Sequence, residues 1–121
     1  MPVPRITKED LKQRLDSPDT APVIIDARLK YPYEHSAVKL PGSVRMHPDA
    51  PDPSRRPRDR EIVAYDSDPD ELSSERLAIA LTRQGYRVSV LKGGINDWMA
   101  AKLPVDSKPW PQPAAAAGSK G

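Results

Sequence analysis

The chain has 121 residues, a formal charge of +2 and a pI near 9.0, with acidic and basic residues mixed along its length. This length suits one compact domain, and the mixed charges argue against a nucleic-acid binder, which would carry a basic face. The chain contains no cysteine, which excludes a disulfide framework, a thiolate zinc site and a thiol nucleophile of its own.

The sequence also predicts the location of the protein in the cell and the extent of its folded domain. No apolar run approaches the roughly 18 residues needed to cross a bilayer, and the N-terminus lacks the apolar core of a signal peptide. We therefore expect a cytoplasmic protein that binds neither membrane nor nucleic acid. Proline and alanine dominate the C-terminal stretch, a composition that cannot build a core. This pattern predicts one domain over residues 1–105 and a disordered tail over residues 106–121.

The first half of the chain is predicted to form a helix, a buried strand and short turn elements. Thr7 can cap a helix by accepting the backbone N–H of Asp10. Residues 22–26 are apolar and mostly β-branched, which is typical of a buried parallel strand. The remaining predictions here are a brief helix over 33–37, a turn over 40–43, a short strand over 43–46 and an exposed proline-rich loop over 48–59.

The second half is predicted to alternate strands and helices. A buried strand over 61–65 runs into an acidic loop over 66–71, and Ser73 or Ser74 is predicted to cap the helix that follows and ends before Gly85. A strand over 88–91 then leads through Gly93-Gly94 into a last helix, whose Trp98 is expected in the core. This order favours an α/β domain with a mostly parallel central sheet flanked by helices.

These segments, in their order and spacing, resemble the rhodanese-like (sulfurtransferase) family from about Ile6 to Val105. The resemblance implies the three-layer fold of that family. Val38-Lys39 departs from it, because family members usually carry Gly-His there. The matching pieces are Val-Ile-Ile-Asp-Ala-Arg at 23–28, Leu-Pro-Gly-Ser at 40–43, Ile-Val-Ala-Tyr at 62–65, Gly-Tyr at 85–86, Leu-Lys-Gly-Gly at 91–94 and Trp98.

The resemblance also implies where the reactive position lies. Active members carry a cysteine at the position of Asp66, within a cradle of backbone N–H groups. The active-loop equivalents here are Asp66, Ser67, Asp68, Pro69, Asp70 and Glu71, which look like the family form Cys-x-Cys-Pro-x-Glu with both cysteines replaced by aspartate. Asp26 and Arg28, expected to form an ion pair, and Arg76 are the supporting residues. A carboxylate cannot form a stable persulfide, so we expect an inactive homologue that binds a protein partner through this face.

One hypothesis gives the replacement a structural role. Backbone N–H groups and a helix N-terminus favour an anion, so the Asp66 carboxylate could fill the cradle from within. The sequence predicts no catalytic residue, no cofactor and no metal, and it leaves the oligomeric state open.

The alternative is an enzyme or a divalent-cation site that uses the acidic loop. Asp66, Asp68 and Asp70 alternate like the first half of an EF-hand loop, but Glu71 stands where glycine is required and Leu77 where the last acidic ligand belongs. The Asp-x-Asp after a buried strand also resembles the nucleophile motif of haloacid-dehalogenase-like phosphatases. The continuation over 69–70 does not match that motif.

Overall fold

The computed structural model describes residues 3–17, 19, 21–47, 60–68 and 70–108. None of the helices in these ranges is long and apolar enough to span a bilayer. In chain order the elements are β1 (Arg5–Ile6), α1 (Lys8–Leu15), β2 (Val23–Asp26), α2 (Lys30–Glu34), β3 (Val38–Lys39), β4 (Val44–Arg45), β5 (Glu61–Tyr65), α3 (Leu72–Arg83), β6 (Arg87–Leu91), α4 (Gly94–Ala100) and β7 (Asp106–Ser107).

Five of the strands form a parallel sheet in the order β1-β6-β5-β2-β4. Its central strands are the apolar, β-branched runs that the sequence predicted. In the β2–β5 pair, Asp26 stands opposite Tyr65. The loops after these two strands are therefore neighbours at the same edge of the sheet, because parallel strands end on the same side. The predicted α/β fold with a mostly parallel sheet is confirmed.

The two faces of the sheet carry separate apolar cores. Side chains alternate along each strand, so β5 turns Ile62 and Ala64 to one face and Val63 and Tyr65 to the other. Of the described helices, α3 alone contributes to the first core, whereas α1 and α4 supply Leu11, Ile95 and Trp98 to the second. Trp98 is fully buried, as predicted, and the three-layer architecture is confirmed.

The helix ends follow the predictions in part. Thr7 caps α1, and its hydroxyl accepts the N–H of Asp10 at 3.1 Å. The prediction that Ser73 or Ser74 caps α3 is wrong, since the helix already begins at Leu72 and both serines lie in its first turn. The capping position is Glu71, whose φ of 59° turns the chain sharply into the helix.

The brief helix predicted over 33–37 lies three residues earlier, as α2. Pro32 falls within its first turn, where the missing N–H is not needed because these groups have no acceptor inside the helix. The helical segment therefore starts ahead of the proline instead of following it.

The described domain continues beyond the predicted boundary at residue 105. β7 pairs antiparallel with β3, and the buried Lys108 donates its backbone N–H to Ala37 O at 2.9 Å. The Lys108 ammonium donates to Tyr33 O and lies 3.9 Å from the centre of the Tyr33 ring. The rest of the predicted tail, 109–121, and the predicted loop 48–59 lie outside the described residues.

Candidate active-loop site

Asp66 is the first residue after β5, and its side chain turns into the loop that follows. The residue is 1% exposed. One carboxylate oxygen, Oδ2, accepts the backbone N–H of Ser74 at 2.6 Å, and the other, Oδ1, accepts the N–H of Asp68 at 3.0 Å. Ser74 lies in the first turn of α3, where N–H groups lack an acceptor within the helix. Asp66 therefore caps α3 from outside the helix, which is the arrangement that the internal-anion hypothesis requires.

The electrostatics of Asp66 are a balance of opposed effects. Burial raises the pKa of the Asp66 carboxyl above its usual value, while the hydrogen bonds from Ser74 and Asp68 act in the opposite direction. The positive end of the α3 dipole also favours negative charge at this point. Because both oxygens already accept hydrogen bonds from the backbone, the carboxylate is held in place.

Glu71 ties the acidic loop to two distant parts of the chain. Its Oε1 accepts the Arg5 guanidinium at 2.8 Å, and its Oε2 accepts the backbone N–H of Gly93 at 2.8 Å. The same guanidinium also lies 3.6 Å from the carboxylate of Glu75. Glu71 thus links the loop to β1 and to the start of α4, a structural role that the sequence did not indicate.

Gly94 allows the start of α4 to approach the backbone of Asp66. The N–H of Ile95 donates to Asp66 O at 3.0 Å. A Cβ at position 94 would lie 2.2 Å from the same oxygen, and the φ of +60° is also one that glycine tolerates best. The Gly93-Gly94 turn therefore both connects β6 to α4 and lets α4 hydrogen-bond to the backbone of the active loop.

A buried polar network lies beside the active loop, at the end of β2. Arg28 and Asp26, each 1% exposed, form an ion pair with Nη2 and Oδ2 at 2.6 Å, as predicted. The Tyr65 hydroxyl donates to Asp26 at 2.9 Å and accepts the N–H of Leu40 at 3.2 Å. Burial, followed by the charge of Asp26, raises the pKa of Tyr65 far above its usual value. The phenol therefore stays protonated and can donate to Asp26.

An open pocket of about 540 Å³ lies between α2, α4 and the active loop. Ser67 and Asn96 line its side toward Asp66, where the Asn96 amide donates to Ser67 O at 3.2 Å. Pro32, His35 and Met99 line other parts of it. The pocket therefore offers an apolar surface together with hydroxyl, amide and imidazole groups.

Among the remaining predicted site residues, Asp68 accepts a hydrogen bond from the backbone of the same loop. Asp68 Oδ1 accepts the N–H of Asp70 at 3.0 Å, and Asp70 is exposed. Arg76 lies exposed on α3, and Pro69 is outside the described residues. Within the described ranges, no three His, Asp or Glu side chains come together in a way that could hold a metal ion.

Sequence reasoning missed two contributors to the site, Glu71 as a bridge and Tyr65 as a partner of Asp26. Tyr65 ends an apolar run, so the pattern indicated only burial. A buried tyrosine hydroxyl, however, usually needs a hydrogen-bond partner, and this signal could have pointed to a polar neighbour. No comparable local signal marks Glu71, since its partners are distant in sequence.

Known structures share this architecture. A protein from Bacillus halodurans aligns with a TM-score of 0.76 at 17% identity, covering 86% of this chain and 77% of that one. The rhodanese-like domain of an Anabaena protein gives a TM-score of 0.68 at 24% identity, with coverages of 87% and 80%. A rhodanese-like domain protein from Staphylococcus aureus gives 0.69 at 17% identity, with coverages of 88% and 100%.

These three likenesses support the fold, and the family follows from the sequence comparison. No curated protein sequence matches the chain. The sequence model of the rhodanese-like domain matches residues 7–101, a span from the cap of α1 to the end of α4. The chain belongs to the rhodanese-like domain family.

Proposed function

We propose that this chain is a catalytically inactive rhodanese-like domain that serves as a binding or regulatory module. The observation that carries the proposal is the Asp66 carboxylate, which accepts the backbone N–H of Asp68 in the active loop and that of Ser74 in the first turn of α3. The resemblance to the family assigns that position to the reactive cysteine. In this chain the donors are already satisfied by an internal anion.

The chemistry of a carboxylate supports the loss of sulfur transfer. Sulfur transfer by the family requires a thiolate that accepts a sulfane sulfur and carries it as a persulfide. Asp66 offers a hard oxygen nucleophile that cannot form a stable persulfide, and the chain has no cysteine to replace it. Carboxylate nucleophiles do serve other enzymes, but here both oxygens are engaged with Ser74 and Asp68.

A binding role is supported by the surface around the active loop. The pocket of about 540 Å³ opens beside Ser67. Large apolar side chains are exposed on the helices around it: Tyr31 on α2 is 69% exposed and Met99 on α4 is 45% exposed. A pocket with an apolar rim and a few polar groups is typical of a recognition site, so we assign the protein partner to this face.

Sulfur transfer from thiosulfate to cyanide tests the inactive assignment. We expect no turnover above buffer for the unmodified chain. Asp66→Cys places a thiol where the N–H groups of Asp68 and Ser74 can stabilise a thiolate, so we expect it to gain turnover. Asp66→Ser is the matched control, because it has a similar size and lacks a reactive sulfur.

Two results would go against the proposal. Turnover by the unmodified chain would show that sulfur transfer does not need a cysteine here. Equal turnover by Asp66→Cys and Asp66→Ser would show that the measured reaction does not occur at this position.

A further inference from the structure

The two faces of the sheet are covered unequally. Five parallel strands span about 19 Å, whereas one helix is about 10 Å wide and covers about two strands. The first core cluster, on one face, receives side chains from α3 alone among the described helices, while α1 and α4 both pack against the other face. Helix α3 packs over β5 and β6, and no other described helix adds side chains to this core cluster at the β1 edge of the sheet.

A groove of about 580 Å³ lies at this place. Its floor includes Val88 and Tyr86, which are core residues with 5% and 6% exposure. Ile79 of α3, 36% exposed, lines one wall, and Val3 and Pro4, which lead into β1, line the other. The groove thus opens directly onto the core. It lies at the amino ends of β5 and β6, the opposite edge of the sheet from Asp66.

The charges around the groove are predominantly positive. Arg83 at the end of α3 and Arg87 at the start of β6 line it. Glu61 carries the one carboxylate among the described lining residues, and it forms an ion pair with Arg14 of α1. An apolar floor with a cationic rim complements an apolar segment that carries carboxylates beside it.

We propose that this groove binds a segment of a partner protein that has large apolar side chains flanked by aspartate or glutamate. The apolar side chains cover Val88, Tyr86 and Ile79, and the carboxylates face Arg83 and Arg87. This surface is separate from the active-loop face, so the proposal does not depend on the role of Asp66.

Titration of the full chain with two synthetic amphipathic peptides tests the proposal. One peptide contains leucine and glutamate, and the other has lysine at every glutamate. We expect the glutamate peptide to shift the methyl signals of Ile79 and Val88 saturably, with an affinity about fivefold or more above that of the lysine peptide. Arg83→Glu should reduce or reverse this preference, and Ile79→Ser should weaken both peptides.

Lys92→Glu is the matched control, because it makes the same charge change on an exposed residue after β6, at the far end of that strand. Lys92→Glu should leave the preference for the glutamate peptide over the lysine peptide unchanged. If it reduced that preference as much as Arg83→Glu does, the role of Arg83 in binding the carboxylates would be overturned. Equal affinity for both peptides, or the absence of saturable shifts, would overturn the proposal. So would concentration-dependent shifts of the same signals without peptide, accompanied by dimer formation in sedimentation, since a second copy would then be the occupant.

Discussion

Removal of the Asp66 carboxylate should destabilise the domain by leaving one buried and one partly buried backbone donor without their acceptor. In Asp66→Ala the backbone N–H groups of Asp68 and Ser74 lose their acceptor, and an unsatisfied buried donor costs about 1–3 kcal/mol. The substitution also removes the cost of burying a carboxylate, the same burial that raises the pKa of Asp66, and this gain offsets part of the loss. We therefore expect a net loss of about 2 kcal/mol in the free energy of unfolding.

Urea unfolding followed by circular dichroism measures this loss, and hydrogen exchange locates it. The amides of Asp68 and Ser74 should lose protection in Asp66→Ala, because their hydrogen bonds are removed. The control is Asp70→Ala, which removes an exposed carboxylate from the same loop and should change stability by less than about 0.5 kcal/mol. Equal stability of Asp66→Ala and the unmodified chain, with both amides still protected, would refute the reasoning.

The raised pKa of Asp66 predicts a pH dependence that Asp66→Asn should isolate. In the folded protein the carboxyl binds its proton more tightly than in the unfolded chain, where its pKa is near 3.8. The stabilisation that results from this difference in pKa is fully present below the unfolded-state pKa. It is lost as the pH rises through the folded-state pKa. The unmodified chain should therefore lose stability relative to Asp66→Asn as the pH rises above about 4, until Asp66 is ionised in the folded protein. A relative gain over this range would contradict the direction of the shift.

Two further predictions concern the surroundings of the site, and urea unfolding measures both. Arg28→Met leaves the buried Asp26 without its ion-pair partner and should lower the free energy of unfolding by about 3–5 kcal/mol. The double variant with Asp26→Asn and Arg28→Met should lose less stability, because no unpaired charge stays buried. A larger loss in the double variant would contradict the pairing. Gly94→Ala places a Cβ 2.2 Å from Asp66 O, so it should cost more than Gly42→Ala, where φ is also positive but nothing lies within 4 Å. We expect about 1–2 kcal/mol for the Gly42 variant, and equal losses would rule out the contact with Asp66.

Much of the fold could be predicted because its signals are local. The apolar strands, the Thr7 cap, the Gly85 stop and the core position of Trp98 each follow from a residue type or a short spacing. The strands β1, β3 and β7 were not predicted. Each has two residues, which is too short for an alternating pattern to appear. Their place depends on a neighbouring strand that the sequence does not identify.

For the site, the sequence by itself determined that thiol chemistry is absent, and it predicted that Asp66 stands at the reactive position. The lack of cysteine and the place of Asp66 after an apolar strand require no coordinates. Only the tertiary structure decided what Asp66 and Glu71 bind. Arg5 lies 66 residues from Glu71, and Tyr65 lies 39 residues from Asp26. Local patterns encode burial and turns, but the partner of a buried polar group is the one that the folded chain brings within hydrogen-bond distance.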